Sequence, residues 1–212
     1  LLGMMVLVSS LKTVGFFNWL AIKSLSLAAT PWRLLALVTV ATAVSSAFLV
    51  NDAVVLFFTP IVIQICHARK INPVPYLIAV AMASNVGSTA TIVGNPQNML
   101  IGITSGISFG RFFLYLLPVS LISTIALILI VYGFYRKSFQ RGFTSTATTT
   151  IDAQLYGTRA MWRIVPILIL ALIAFFLSSF FKVSIPLIAL TCAALVLLIG
   201  KVRPSAVIKG VD

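Results

Sequence analysis

Apolar residues run along this chain in blocks, at 1–11, 34–50, 53–66, 74–104, 112–135, 164–181 and 183–200, and the charged residues gather between them. A helix needs about 20 apolar residues to cross about 30 Å of hydrocarbon. The block at 112–135, FFLYLLPVSLISTIALILIVYGFY, is long enough by itself, and Pro118 near its start is tolerated because a membrane bundle re-satisfies the freed backbone groups. The blocks at 164–181 and 183–200 form a helical pair joined at Lys182, and block 1–11 reads as the end of a span. Residues 15–29, GFFNWLAIKSLSLAA, mix aromatic side chains with Lys23 and several polar ones, the pattern of an interfacial helix lying on the cytoplasmic surface, with part of a span as the alternative. The one long polar segment, 137–163, holds a Ser/Thr tract and reads as a linker loop. The pattern predicts an all-α polytopic membrane protein.

Two blocks depart from simple spans. Arg33 and Arg69-Lys70 bracket the runs 34–50 and 53–66, so the chain enters and returns, turning at Asn51-Asp52. The returning run has about 14 residues, roughly 21 Å of helix, which is short for a full crossing. A re-entrant hairpin over 34–66 is expected, its tip inside the membrane; a tight pair of spans gives the same sidedness. The second departure lies in block 74–104. Its segment NVGSTATIVGNPQNMLIG, Asn85 to Gly102, carries three Asn, a Gln, a Ser, two Thr, three Gly and a Pro. Helix is expected from Tyr76 to Ile92. At VGNPQN, Gly94 permits unusual backbone angles, and Pro96 removes a donor and disfavours helix at Asn95. The reading is a broken helix over 76–104. Unpaired backbone in hydrocarbon costs several kcal/mol per group, so a break is tolerated only where protein or a water-filled cavity meets it. Freed carbonyls suit a cation, and the N-terminus of the helix resuming near Gln97 suits an anion.

Composition sharpens this. The chain is 60% hydrophobic and 8% charged over 212 residues, against about 25% charged in soluble domains. Fifteen Lys and Arg face three acids, Asp52, Asp152 and Asp212, for a net charge of +12. These cations form no continuous face, which argues against nucleic acid as a partner and leaves membrane lipid. They sort by side instead. With the loop 136–163 cytoplasmic, Arg136, Lys137, Arg141, Arg159 and Arg163 share that side with Lys12, Lys23, Arg33, Arg69, Lys70, Lys201, Arg203 and Lys209, and only Arg111 and Lys182 lie outside. The expected location is an inner or plasma membrane.

Candidate chemistry is sparse. Cys66 and Cys192 sit in apolar runs as small hydrophobes, and no disulfide is implied. His67 is the only histidine, and no nucleophile–base set, HExxH or P-loop occurs, so no enzyme and no resident cofactor are expected. Asp52 stands out. An Asp at the bilayer centre costs about 2.5–3.5 kcal/mol, which makes an intramembrane carboxylate a functional-site candidate. Its structural alternative is a helix cap on the N–H groups of Val54 and Val55. In ASNVGSTATIVG the small residues Ala83, Gly87, Thr91 and Gly94 are spaced for close helix packing. Packing does not account for Asn85, Asn95, Gln97 and Asn98, whose amides are expensive to bury without partners.

SAFLVNDAVVLFFTP, Ser46 to Pro60, followed by ASNVGSTATIVGNPQNMLIG, resembles the ion-transporter superfamily of arsenite/antimonite permeases, NhaD-type sodium/proton antiporters, citrate transporters and divalent-anion/sodium symporters. The resemblance implies two inverted repeats, each with an interfacial helix, a re-entrant hairpin and a broken helix. Residues 1–136 correspond to a first-repeat transport unit and 164–212 to the first spans of a second repeat. A second hairpin and second break do not follow Gly200. The expectation is therefore a fragment of a longer transporter, or a half that pairs with a second copy. In the sodium-coupled symporters the first hairpin tip is Ser-Asn-Thr, and it falls here on Val50-Asn51-Asp52. Asn51 matches, Ser46 matches a position lining the cation site, and Gly94 matches the break whose carbonyl contributes. Ser46, Asn51 and Gly94 are thus the implied Na+ ligands. Val50 replaces the serine and Asp52 the threonine, which shifts the likeness toward the arsenite-permease and antiporter branch.

These readings converge on a secondary active transporter, an arsenite-permease-like anion permease coupled to Na+ or H+. An antiporter, a channel and a structural membrane subunit are the alternatives. Asn51, Asp52, Asn85, Ser88, Thr89, Gly94, Asn95, Pro96, Gln97 and Asn98 are the expected substrate or ion contacts, with Ser46 at the cation.

Overall fold

The computed structural model describes residues 2–16, 19, 28, 30–140, 158–181 and 183–199. Among them the regular secondary structure is all helix: α1 (Leu2–Thr13), α2 (Pro31–Phe48), α3 (Asn51–Arg69), α4 (Val74–Ser88), α5 (Pro96–Ser105), α6 (Phe109–Phe134), α7 (Arg136–Gln140), α8 (Thr158–Phe181) and α9 (Ile185–Ile199). Among the described residues four stretches are long and apolar enough to cross a membrane: Pro31–Phe48, Asn51–Arg69, Phe109–Phe134 and Met161–Ser178. The protein is an all-α polytopic integral membrane protein.

The hairpin is the first element whose shape differs from expectation. Its returning arm, α3, has 19 residues, about 28 Å of helix, where the apolar run alone predicts about 14. The helix does not stop at Cys66. His67 and Arg69 extend its last turn, where cations are favourable against the helix dipole, and Lys70 ends it in the left-handed region with φ 53°. Both arms are therefore long enough to span. The rising arm α2 starts on Pro31 behind Thr30, whose hydroxyl accepts the Arg33 N–H at 3.4 Å.

The broken helix is present, with its interruption earlier than expected. Regular helix ends at Ser88, and Thr89 to Asn95 form turns before Pro96 opens α5. The expected continuation to Ile92 is thus corrected. Ser88 and Thr89 turn their hydroxyls back onto the Asn85 and Val86 carbonyls, a competition that Ser and Thr side chains commonly offer to helix, and Thr91 bonds the Ala47 carbonyl on α2.

Helices α2 and α4 lie against each other more extensively than any other pair. Small residues allow it: a Cβ on Gly87 would stand 2.1 Å from the Ala43 carbonyl oxygen, so the two backbones touch. Tyr76 OH donates to the Pro31 carbonyl at 3.0 Å near their starts, and Ser46 Oγ donates to the Ser84 carbonyl at 2.6 Å near their ends. Helices α3 and α6 flank this pair, with Ser120 Oγ of α6 donating to the Val86 carbonyl at 3.0 Å. A second cluster joins α1, α8 and α9, again through a glycine, since a Cβ on Gly3 would meet Ala189 backbone at 2.6 Å. The clusters meet at α6 and α8, where Phe109 and Phe113 pack on Phe176 with ring centroids 4.9 and 5.2 Å apart.

The expected interfacial helix, 15–29, falls mostly outside the described residues. Gly15 turns the chain out of α1 at φ 77°, and Trp19 N–H then bonds the Gly15 carbonyl at 3.0 Å. Of the linker loop, 141–157 lie outside the described residues, while Thr158 to Arg163 are already part of α8.

Candidate functional site: the hairpin tip and the helix break

The tip of the hairpin closes directly onto the break. Val50 is the N-cap of α3 and makes no side-chain capping bond; the Asn51 N–H donates instead to the Gly94 carbonyl at 3.0 Å. A valine has no oxygen for the first-turn donors of α3, so an element from elsewhere in the chain supplies one. The side chains follow: Asn51 Nδ2 donates to Asn85 Oδ1 at 3.3 Å, and Asn85 Nδ2 donates to the Ala81 carbonyl at 3.0 Å. Asn51 Oδ1 is buried and has no hydrogen-bond partner among the described residues. Asp52 occupies the first turn of α3, exposed, where the helix N-terminus favours a negative charge. It does not bond the N–H groups of Val54 or Val55; the Val54 N–H bonds the Val50 carbonyl at 3.2 Å. The capping alternative for Asp52 is set aside.

Behind the tip, the break is tied to itself. Asn95, 8% exposed, is the N-cap of α5; its Oδ1 accepts the Asn98 N–H at 2.7 Å and its Nδ2 donates to Ser88 Oγ at 3.0 Å. Ser88 Oγ donates to the Asn85 carbonyl at 2.8 Å. Asn98 Nδ2 donates to the Ser88 and Thr91 carbonyls at 3.1 and 3.0 Å and lies 3.5 Å from that of Thr89. The turn is tight: a Cβ on Gly94 would stand 2.3 Å from the Ser88 carbonyl oxygen. Pro96 takes the first position of α5, where its missing N–H costs nothing.

A family model described as citrate transporter matches residues 1–212, the whole chain. The chain belongs to the citrate transporter family. It is 30% identical over 209 residues to the 46 kDa membrane protein of Mycobacterium leprae, covering 97% of this chain and 49% of that protein. An "uncharacterized transporter" of Mycobacterium tuberculosis is 40% identical over 129 residues, 60% of this chain and 30% of that protein. The human P protein is 37% identical over 102 residues, 48% of this chain and 12% of that protein. The chain spans about half the length, or less, of these relatives.

Of the residues expected in the site of this citrate transporter family member, the structure brings together Asn51, Asp52, Asn85, Ser88, Gly94, Asn95 and Asn98, and divides their duties. The Gly94 carbonyl is not left free by the break, because the tip amide occupies one of its lone pairs. Ser46 is fully buried, and its proton is committed to the Ser84 carbonyl. Asn95, Ser88 and Asn98 spend their donors inside the break. Thr89 is exposed and donates to the Val86 carbonyl at 2.7 Å, and Gln97 is exposed at the start of α5. Two participants went unforeseen. The Ser84 and Ala47 carbonyls receive the bonds that lock α2 onto α4 and the break, and backbone oxygens in apolar helices carry no signal in sequence.

Proposed function

We propose that the protein is, as part of a longer chain, a secondary active transporter for a small anion coupled to Na+ or H+. Asn51, Asp52, Asn85 and Gln97 contact substrate or coupling ion. The observation that carries this reading is the joint between hairpin tip and helix break, Asn51 N–H to Gly94, which leaves a carboxylate and amides exposed beside it. Discontinuous helices whose ends meet in this way form ion and substrate sites in transporters. An exposed carboxylate repels an anion until a proton or a cation neutralises it, and that gives a physical reason for coupling. Oxygens with lone pairs to spare for a cation are Asn51 Oδ1, the second lone pair of the Gly94 carbonyl and Ser46 Oγ. The cytoplasmic side is that of the Arg- and Lys-rich segments, including 136–163.

The test is uptake by the full-length protein in proteoliposomes, with arsenite, sulfate and citrate as labelled substrates under imposed Na+ or pH gradients. Asp52→Asn is expected to lower gradient-driven uptake about tenfold or more, the scale of 1.4 kcal/mol, while the protein inserts normally. Wild-type uptake with unchanged gradient dependence in that variant would remove Asp52 from the site. A carboxylate at the tip also favours sodium/proton antiport, which the same vesicles report as Na+-driven pH change with no anion present.

A further inference from the structure

Where α4 gives way to the break, the carbonyl of its last residue and two from the turn that follows point toward one centre. The oxygens of Ser88, Thr91 and Thr89 stand 3.1, 3.0 and 3.5 Å from Asn98 Nδ2. Backbone carbonyls gathered about a single positive centre are the arrangement that replaces the hydration shell of a cation. Here the centre is an amide NH2 carrying two partly positive hydrogens. The reverse assignment of the amide would set an oxygen against three carbonyl oxygens, so the surroundings fix its orientation. Asn98 is aimed by its own backbone, since its N–H is held by Asn95 Oδ1 at 2.7 Å, and Asn95 is held in turn by Ser88 Oγ at 3.0 Å. Gly94, whose carbonyl caps the hairpin tip, lies inside this closed loop of Ser88, Asn95 and Asn98.

We propose that Asn98 is a positioning residue that stands in for a bound cation: its amide neutralises the carbonyl cage at the end of α4 and thereby fixes Gly94 and the hairpin tip. The proposal goes beyond the transport reading, because it concerns what holds the break and not what the break binds. It also excludes one location for a coupling ion, the space among these carbonyls.

The test uses the full-length protein purified in detergent, with thermal unfolding followed in sodium, potassium and choline chloride at equal ionic strength. Asn98→Asp puts a carboxylate among the carbonyls and makes an all-oxygen cage. It is expected to melt roughly 5 °C or more below wild type in choline. Sodium or potassium should recover most of that loss, beyond any shift wild type shows. Asn98→Ala should also melt low in choline, with a smaller recovery. A merely structural residue would lose stability without gaining cation dependence. Melting of both variants with wild type, or loss in Asn98→Asp that neither cation recovers, overturns the proposal. If Asn98→Asp does not fold in any salt, Asn98→Ala decides: low melting with cation recovery supports the proposal, and wild-type melting or loss without recovery overturns it. The readout is stability, so it stands whether or not the transport reading fails.

Discussion

The polar residues of the site fall into two halves that differ in what remains for them to do. In the inner half, Ser88, Asn95 and Asn98 are buried or half-buried and bond one another and the carbonyls of the break. In the outer half, Asp52, Asn85 and Gln97 are exposed, and Asn51 beside them keeps an oxygen without a partner. Both halves are built largely of amide side chains, and the outer one adds the Asp52 carboxylate. The comparison teaches that a dense polar segment in a membrane protein marks a place, while unspent hydrogen-bonding capacity marks which residues there can meet a ligand. A saturated amide cannot take a new partner without breaking an old one, and leaving a buried group unpaired costs about 1–3 kcal/mol.

Substitutions can break or sharpen this contrast. The largest effect is expected at Gly94→Ala in the inner half, where the added carbon meets the Ser88 carbonyl at 2.3 Å and backbone must move. A loss of about 2–3 kcal/mol in thermal or denaturant unfolding should accompany loss of uptake, and an unchanged protein would show that the break is looser than drawn. Ser46→Ala comes next. It removes the buried bond to the Ser84 carbonyl and should cost about 1 kcal/mol by the same measurement, with the fold intact. The smallest stability effect belongs to the outer half: Gln97→Ala should stay within about 0.5 kcal/mol of wild type. Its signature is functional, a rise of about two- to tenfold in the substrate concentration for half-maximal uptake. If Gln97→Ala destabilises the protein while leaving uptake unchanged, the division between halves fails.

Much of the architecture was legible because membrane helices announce themselves through long apolar runs, and because Gly94 and Pro96 are poor helix residues whose neighbours cannot hide in lipid. The start of the break was not legible. Ser88, Thr89, Ala90 and Thr91 continue the apolar block without a breaker, and the bond that holds Thr91 in the turn comes from Ala47 on another helix. The length of α3 is hidden for a related reason, since the polar residues from His67 onward look like a boundary by hydropathy, yet the helix runs on to Arg69, which suits its last turn by charge. The roles of Ser46 and Asn51 depend on partners 38 and 34 residues away, Ser84 and Asn85. Pairings over such separations leave no local pattern, so type and position pointed to the residues while their duties waited for the fold.

The cap of α3 comes from Gly94, which follows Asn51 by 43 residues in the chain. At synthesis rates of about 5–20 residues per second, the tip residue Asn51 exists for about 2–9 s before its cap has been made. Through that interval the first-turn donors of the arm need water or a chaperoning surface, because lipid offers them nothing. Biogenesis therefore has a built-in order, in which the two arms enter early and their apex is the last part to mature. A nascent chain stalled short of Gly94 would hold a paired set of arms with an unfinished apex.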